Sequence, residues 1–129
     1  LHIWTPDVYE GAPVSAVTYF AVAQKVGGLI VLINFVTLVL GNYLRISVDL
    51  IKIAAILSIF IGALGAMMQS SLKRLMAYST ILNVGYVLIA ISLHSEEGFR
   101  SAVIYMLIYG IGTIGFFACL VALFGERSD

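Results

Sequence analysis

Four predominantly apolar runs, each long enough to cross a lipid bilayer as a helix, constrain the fold of this chain most. They cover residues 14–40, 51–68, 75–93 and 102–124. A bilayer core of about 30 Å is crossed by about 20 apolar residues in helical conformation. The composition agrees, since 61% of the residues are hydrophobic and only 11% are charged, whereas about a quarter are charged in soluble domains. These features exclude a soluble enzyme and predict a membrane protein.

The runs predict an all-α, polytopic transmembrane helix bundle. In lipid every backbone polar group must be paired internally, and the runs lack the two-residue alternation of barrel strands. Residues 1–13 contain two prolines and a glycine and predict the end of a helix followed by a loop. Residues 41–50, 69–74 and 94–100 are expected to be short polar connections. We interpret the whole chain, which begins at Leu1, as one membrane-domain piece of a longer protein.

Charge and cysteine content exclude several other kinds of function. The chain has no net charge, so no basic surface is predicted to bind nucleic acid. It has one cysteine and no cluster of His and Cys at metal-ligand spacing, so no metal site is predicted. The glycines of residues 110–115 match the dinucleotide pattern GxGxxG. They lie inside an apolar run rather than at a strand-to-helix turn, which excludes nucleotide binding there.

Lys25 is the strongest candidate for a functional residue. It lies near the middle of the first apolar run, too far from either end for its side chain to reach the membrane surface easily. A charged residue at this depth costs about 2.5–3.5 kcal/mol on insertion scales and usually faces a bundle interior or a hydrated path. Lysine suits proton transfer, because an amine accepts a proton and an ammonium passes one on. The alternative is a lysine paired with an acidic residue elsewhere purely for assembly.

Four other polar residues are weaker candidates for a polar path through the membrane. Tyr78, Ser79 and Asn83 lie in the third run and share roughly half of a helix surface. Their side chains could order water beside a titrating group, or could simply form hydrogen bonds between helices. His2 lies near an apolar segment, and its imidazole could relay protons or be satisfied locally.

Two stripes of small residues predict close helix packing. Gly112, Gly115, Cys119 and Ala122 follow one face of the last run, and Gly62 and Ala66 lie one turn apart in the second. Small side chains let helix backbones approach closely in membranes. We therefore expect both stripes to contact neighbouring helices.

The chain closely resembles the antiporter-like subunits of respiratory complex I over essentially its whole length. The resemblance rests on LHIWTPDVYEGAP at residues 1–13, QSSLKRLMAYST at 69–80 and NVGY at 83–86. It implies a 14-helix subunit, of which this chain would supply the end of helix 7 and helices 8 to 11. It also implies that Lys25 is the helix 8 lysine that links two proton half-channels, and that His2 matches a histidine position late in helix 7.

One position departs from the family pattern. Asn83 stands where the family often has histidine, and an amide cannot carry a proton at neutral pH. Water held by Asn83 could still conduct protons there.

The resemblance implies a proton-translocating subunit with no redox centre of its own. NADH, flavin, iron–sulfur clusters and quinone would belong to other subunits, and the partners would be other complex I membrane subunits and the bilayer. The location would be the bacterial plasma membrane or the mitochondrial inner membrane. Two other functions stay open: a subunit of a multisubunit cation/proton antiporter, which shares the helix 8 lysine, and a structural scaffold.

Overall fold

The computed structural model describes residues 4–38 and 44–125, which form five α-helices with no strand in these ranges. The helices are α1 (Thr5–Gly11), α2 (Val14–Leu38), α3 (Leu44–Met67), α4 (Leu72–Ser92) and α5 (Glu96–Phe124). By length and composition, α2, α4, α5 and the segment Val48–Met67 of α3 can each cross a membrane. The predicted all-α membrane fold is confirmed, and the chain is a multi-pass membrane protein.

Three of the helices begin before the apolar runs that predicted them. Helix α3 begins at Leu44, α4 at Leu72 and α5 at Glu96, so the polar segments expected as connections are largely helical. Polar residues at a helix end do not break the helix when they lie near the membrane surface. At α5, the Ser95 hydroxyl caps the helix by accepting a hydrogen bond from the Gly98 amide at 3.0 Å.

A proline separates α1 from α2. Ala12 adopts an extended backbone (φ −96°, ψ 152°), because the residue before a proline disfavours the helical region, and α2 begins directly after Pro13. Pro6 lies in the first turn of α1, where its missing amide hydrogen leaves no helical hydrogen bond unmade. Residues 1–3 lie outside the described part of the chain.

Glycines allow α3 and α4 to pack most closely. Gly62 lies directly against the backbone of Leu82, Gly65 lies under the ring of Tyr78, and Gly85 faces α3. Close packing at Gly62 is what its small-residue stripe predicted. A methyl group at any of these three positions would collide with the neighbouring helix.

The small-residue stripe on α5 has a different environment from the one expected. Cys119 is exposed, and the space beside Gly112 and Gly115 is open among the described residues. The expectation that this stripe packs against the other helices is therefore wrong for the part of the chain that the structure covers. The opposite face of α5, with Met106, Gly110, Phe117 and other buried residues, makes the internal contacts instead.

Two clusters of buried apolar side chains hold the helices together. The first contains Tyr9 of α1 and Ala21 of α2 and extends to α4 and α5. The second contains Leu29 of α2 and Ile91 of α4, with further residues of α5. Both clusters therefore use α2, α4 and α5, and they lie one above the other along α2.

Candidate functional site

Lys25 is buried in the interior of the helix bundle. Only 7% of its surface is exposed. It lies four residues after Ala21 and four before Leu29, each of which belongs to one of the two apolar clusters. Residues four apart share a face of a helix, so the lysine side chain leaves α2 between the two clusters.

Hydroxyl groups from two other helices bind the Lys25 ammonium. Its Nζ donates a hydrogen bond to Thr80 Oγ1 of α4 at 2.9 Å and to the Tyr9 hydroxyl of α1 at 3.3 Å. The ammonium also lies 5.8 Å from the ring centre of Tyr9 and 5.7 Å from that of Tyr109, within the range of cation–π attraction. We name Tyr9, Lys25, Thr80 and Tyr109 the Lys25 cluster.

Thr80 connects the Lys25 cluster to α5. Its hydroxyl lies 2.9 Å from the Tyr109 hydroxyl and 3.0 Å from the Met76 carbonyl oxygen of its own helix. A threonine hydroxyl has one proton to donate and two lone pairs that accept. With its proton on the Met76 carbonyl, Thr80 accepts from both Lys25 and Tyr109.

The partners of Lys25 are electrically neutral. The ordinary pKa of a tyrosine hydroxyl is about 10, and threonine does not titrate in water. Within residues 4–38 and 44–125, the ion pairs are those that Arg74 makes with Asp7 and Glu10. No carboxylate in this part of the chain is therefore bound to the lysine, and hydroxyls and aromatic faces are what stabilise its charge.

The weaker candidates on α4 do not join the Lys25 cluster. The Asn83 side-chain amide donates to the Ser79 carbonyl oxygen at 2.7 Å and to the Ser79 hydroxyl at 3.3 Å, and its oxygen accepts from the Tyr105 hydroxyl. Ser79 and Asn83 of α4 thus form a second polar group with Tyr105 of α5. Tyr78 packs on Gly65 of α3, and His2 lies outside the described residues.

Four residues of the two polar groups were not predicted from the sequence: Tyr9, Thr80, Tyr105 and Tyr109. A signal existed for Tyr109: it lies four residues after Tyr105 and four before Thr113, so these three hydroxyl-bearing residues share one side of a helix. Thr80 directly follows Ser79 in the sequence and lies three residues before Asn83. Nothing in the sequence shows that Thr80, rather than its neighbours, faces α2.

A cavity of about 250 Å³ lies beside Lys25 between α2, α4 and α5. Its lining includes Gln24 and Gly28 of α2, Val84 of α4 and Met106 of α5. One water molecule occupies about 30 Å³ in the liquid, so the cavity has room for several. In the part of the chain that is described, no three His, Cys, Asp or Glu side chains are placed to hold a metal ion.

Comparison with known proteins identifies the family. All of residues 1–129 match the sequence profile of the transmembrane family described as NADH:quinone oxidoreductase/Mrp antiporter. The chain belongs to this family. The predicted resemblance to the antiporter-like subunits is thereby confirmed.

Individual relatives carry a more specific name. The chain is 60% identical over all of its 129 residues to NADH-quinone oxidoreductase subunit N of Rickettsia felis and of Rickettsia prowazekii, and it spans 28% of the length of each. It is 43% identical over 122 residues, 95% of the chain, to the protein of the same name from Hirschia baltica, of which it spans 26%. Similarity to subunit N was expected from the string WTPDVYEGAP and is confirmed.

Proposed function

We propose that this chain is part of a proton-translocating membrane subunit of NADH:quinone oxidoreductase, with Lys25 as the proton relay. The family membership and the names of the relatives support the complex and the subunit type. The observation that carries the role of Lys25 is its burial among neutral hydroxyls. A buried ammonium without a bound carboxylate can change its charge when charges elsewhere change.

The chemistry follows from the hydrogen bonds of Nζ. As an ammonium, Lys25 donates to Thr80 and Tyr9. After losing a proton it becomes an acceptor, and a hydroxyl can then donate to it after rotating about its C–O bond. Both charge states of the lysine therefore find partners in the same cluster, without movement of a helix.

Electrostatic coupling would drive the proton on and off. Interactions between charges are stronger in a low-dielectric interior than in water. A cation that approaches Lys25 along the membrane plane would expel its proton, and an approaching carboxylate would hold it. Those approaching charges would belong to the rest of the subunit and to other subunits of the complex. NADH, flavin, iron–sulfur clusters and quinone would belong to other subunits.

Substitution of Lys25 in the full-length subunit tests this function. We expect Lys25→Ala to lower proton pumping, measured in vesicles as protons translocated per NADH oxidised, more than it lowers the amount of assembled complex on native gels. Lys52→Ala, which removes an exposed lysine of α3, is the matched control and should leave both unchanged. Near-normal pumping by assembled Lys25→Ala complex would contradict the relay.

A cation/proton antiporter is a second candidate, because the family description includes Mrp antiporters. The two functions differ in what drives proton movement. Vesicles containing the complete complex assembled with the full-length protein would move protons on addition of NADH if the protein acts in the oxidoreductase, and on imposition of a sodium gradient if it acts as an antiporter.

A structural scaffold is the third candidate, since the polar contacts of Thr80 and Asn83 join helices. Reaction of Lys25 with amine reagents over a range of pH separates this function from the first two. A lysine that never reacts within the assembled protein would favour the scaffold.

A further inference from the structure

An ion-pair group, formed by Arg74, Asp7 and Glu10, connects one end of α4 to α1. Arg74 Nη2 donates to Asp7 Oδ1 at 3.1 Å, and Arg74 Nε lies 3.0 Å from Glu10 Oε2. Asp7 and Glu10 are three residues apart on α1 and therefore share one of its faces. One guanidinium thus bridges two carboxylates of the same short helix.

Contacts with α4 set the position of helix α1. With seven residues, α1 is too short to be stable by itself in water. It is not continuous with α2, because Ala12 and Pro13 between them are not helical. Its packing is mainly against α4 rather than α2. The position of α1 is therefore set chiefly by what binds it to α4.

The same short helix carries Tyr9 on its opposite, buried side. Tyr9 is 2% exposed, packs edge-on against Phe117 and accepts a hydrogen bond from Lys25 through its hydroxyl. Asp7 and Glu10, by contrast, have side chains that are 79% and 51% exposed. The acidic side of α1 thus meets Arg74, while its aromatic side meets the Lys25 cluster.

Distance makes the Tyr9 contact sensitive to the position of α1. The bond from Lys25 to Tyr9 is 3.3 Å long, whereas the bond to Thr80 is 2.9 Å. Because 3.3 Å is long for a hydrogen bond, movement of α1 away from α2 weakens the first bond, whereas the second bond, to α4, does not involve α1.

We propose that Arg74, through Asp7 and Glu10, is a positioning residue that holds the Tyr9 hydroxyl against Lys25. Arg74 and Thr80 lie six residues apart on α4, about 9 Å along the axis. Helix α4 therefore supplies both a direct partner of the lysine and the anchor for its other partner. This inference rests on the proposed function of Lys25 as a proton relay.

A double-mutant cycle in the full-length subunit, within the assembled complex, tests the proposal. The variants are Arg74→Gln, Tyr9→Phe and the two combined, and the measurement is protons translocated per NADH oxidised in vesicles. If Arg74 acts through Tyr9, each single variant lowers this ratio by a similar factor, because each loses the same hydrogen bond from the Lys25 ammonium to the Tyr9 hydroxyl. The double variant is then no lower than the single ones.

Controls separate positioning from a general effect of charge. Arg100→Gln removes another arginine, which is exposed on α5, and leaves the ratio unchanged. Arg74→Lys, which can still reach a carboxylate as a point charge, restores part of the loss. Independent, multiplying effects of Arg74→Gln and Tyr9→Phe, or an Arg74→Gln ratio equal to that of Arg100→Gln, would overturn the proposal.

Two further variants apply if complexes with Arg74→Gln do not assemble. Asp7→Asn and Glu10→Gln each remove one of the two ion pairs of Arg74. Each variant takes the place of Arg74→Gln in the double-mutant cycle. Loss of assembly in these variants as well would assign the group to assembly and overturn its positioning role. Failure of the proposed function is distinguishable, because then Lys25→Ala itself would leave pumping unchanged.

Discussion

At the scale of single residues, the central fact is that neutral partners surround a buried lysine. A buried ion paired with a carboxylate is held in its charged form, and breaking such a pair costs about 3–5 kcal/mol. Hydroxyl partners bind the ammonium less strongly and can also serve the neutral amine. The Lys25 cluster is therefore suited to a residue that changes charge repeatedly.

Thr80 offers the clearest single-residue test of the cluster. We predict that Thr80→Val, which keeps the shape but removes the hydroxyl, lowers proton pumping per NADH oxidised, because Lys25 loses the shorter of its two hydrogen bonds. A hydrogen bond to a charged group contributes about 1.5–3 kcal/mol. Thr80→Ser keeps the hydroxyl and should pump nearly normally.

Thr113 supplies the matched control for Thr80. It is equally buried, and its hydroxyl donates to the Tyr109 carbonyl oxygen of its own helix rather than to another side chain. Thr113→Val should therefore leave pumping near the wild-type value. If Thr80→Val and Thr113→Val had equal effects, the contact with Lys25 would have no special role.

The position of Lys25 midway along α2 could be predicted from the sequence, whereas the side chains that contact it could not. This position follows from counting residues along the apolar run 14–40. Partners depend on how each helix is rotated about its axis, and α2 is apolar on nearly all sides, so its sequence does not mark an inner face. Thr80 was missed, and Tyr78 was included, because the two residues are neighbours in one polar stretch.

At the scale of helices, the contact between α3 and α4 depends on glycine. We predict that Gly62→Ala lowers the amount of assembled complex on native gels, since its new methyl group would lie 2.6 Å from the Leu82 backbone nitrogen. Such overpacking costs about 1–3 kcal/mol, which exceeds the gain of about 0.5–1 kcal/mol from replacing glycine within a helix.

Gly27→Ala tests whether the effect at Gly62 comes from packing. The space beside Gly27 on α2 is open among the described residues. Gly27→Ala therefore brings only the stabilisation from replacing glycine within a helix, and the amount of assembled complex should not fall. A decrease equal to that of Gly62→Ala would show that the tight contact between α3 and α4 is not the cause.

The helices themselves were well predicted, but their ends were not. Each apolar run identified a helix, because lipid leaves the backbone no other common way to pair its polar groups. The first turns of α3, α4 and α5 contain polar residues, which a search for apolar runs excludes. Local signals such as the Ser95 cap mark the true beginning of α5.

At the scale of the whole molecule, the outer face of α5 indicates where other parts of a longer protein would bind. The relatives from Rickettsia are more than three times as long as this chain, which spans 28% of them. Gly112, Gly115 and Cys119 are exposed among the described residues. In a protein of the relatives' length, we expect another helix to pack closely on this stripe.

A bulky residue in the stripe tests that expectation. We predict that Gly115→Leu in the full-length subunit lowers the amount of assembled complex, because the side chain would separate two helices in close contact. Val103→Leu, which enlarges another exposed position of α5, should be tolerated. Normal assembly of Gly115→Leu would show that the stripe faces lipid.

The order of the helices along the chain has a consequence for synthesis in the cell. Thr80 is translated 55 residues after Lys25, which takes roughly 3–11 s at about 5–20 residues per second. During that interval Tyr9, which precedes Lys25 in the chain, is the one partner of the lysine in the cluster that has already been made. If α2 enters the lipid during this interval, the Lys25 ammonium would therefore have a single hydroxyl partner in the cluster. Tyr9 would then stabilise the buried charge during membrane insertion.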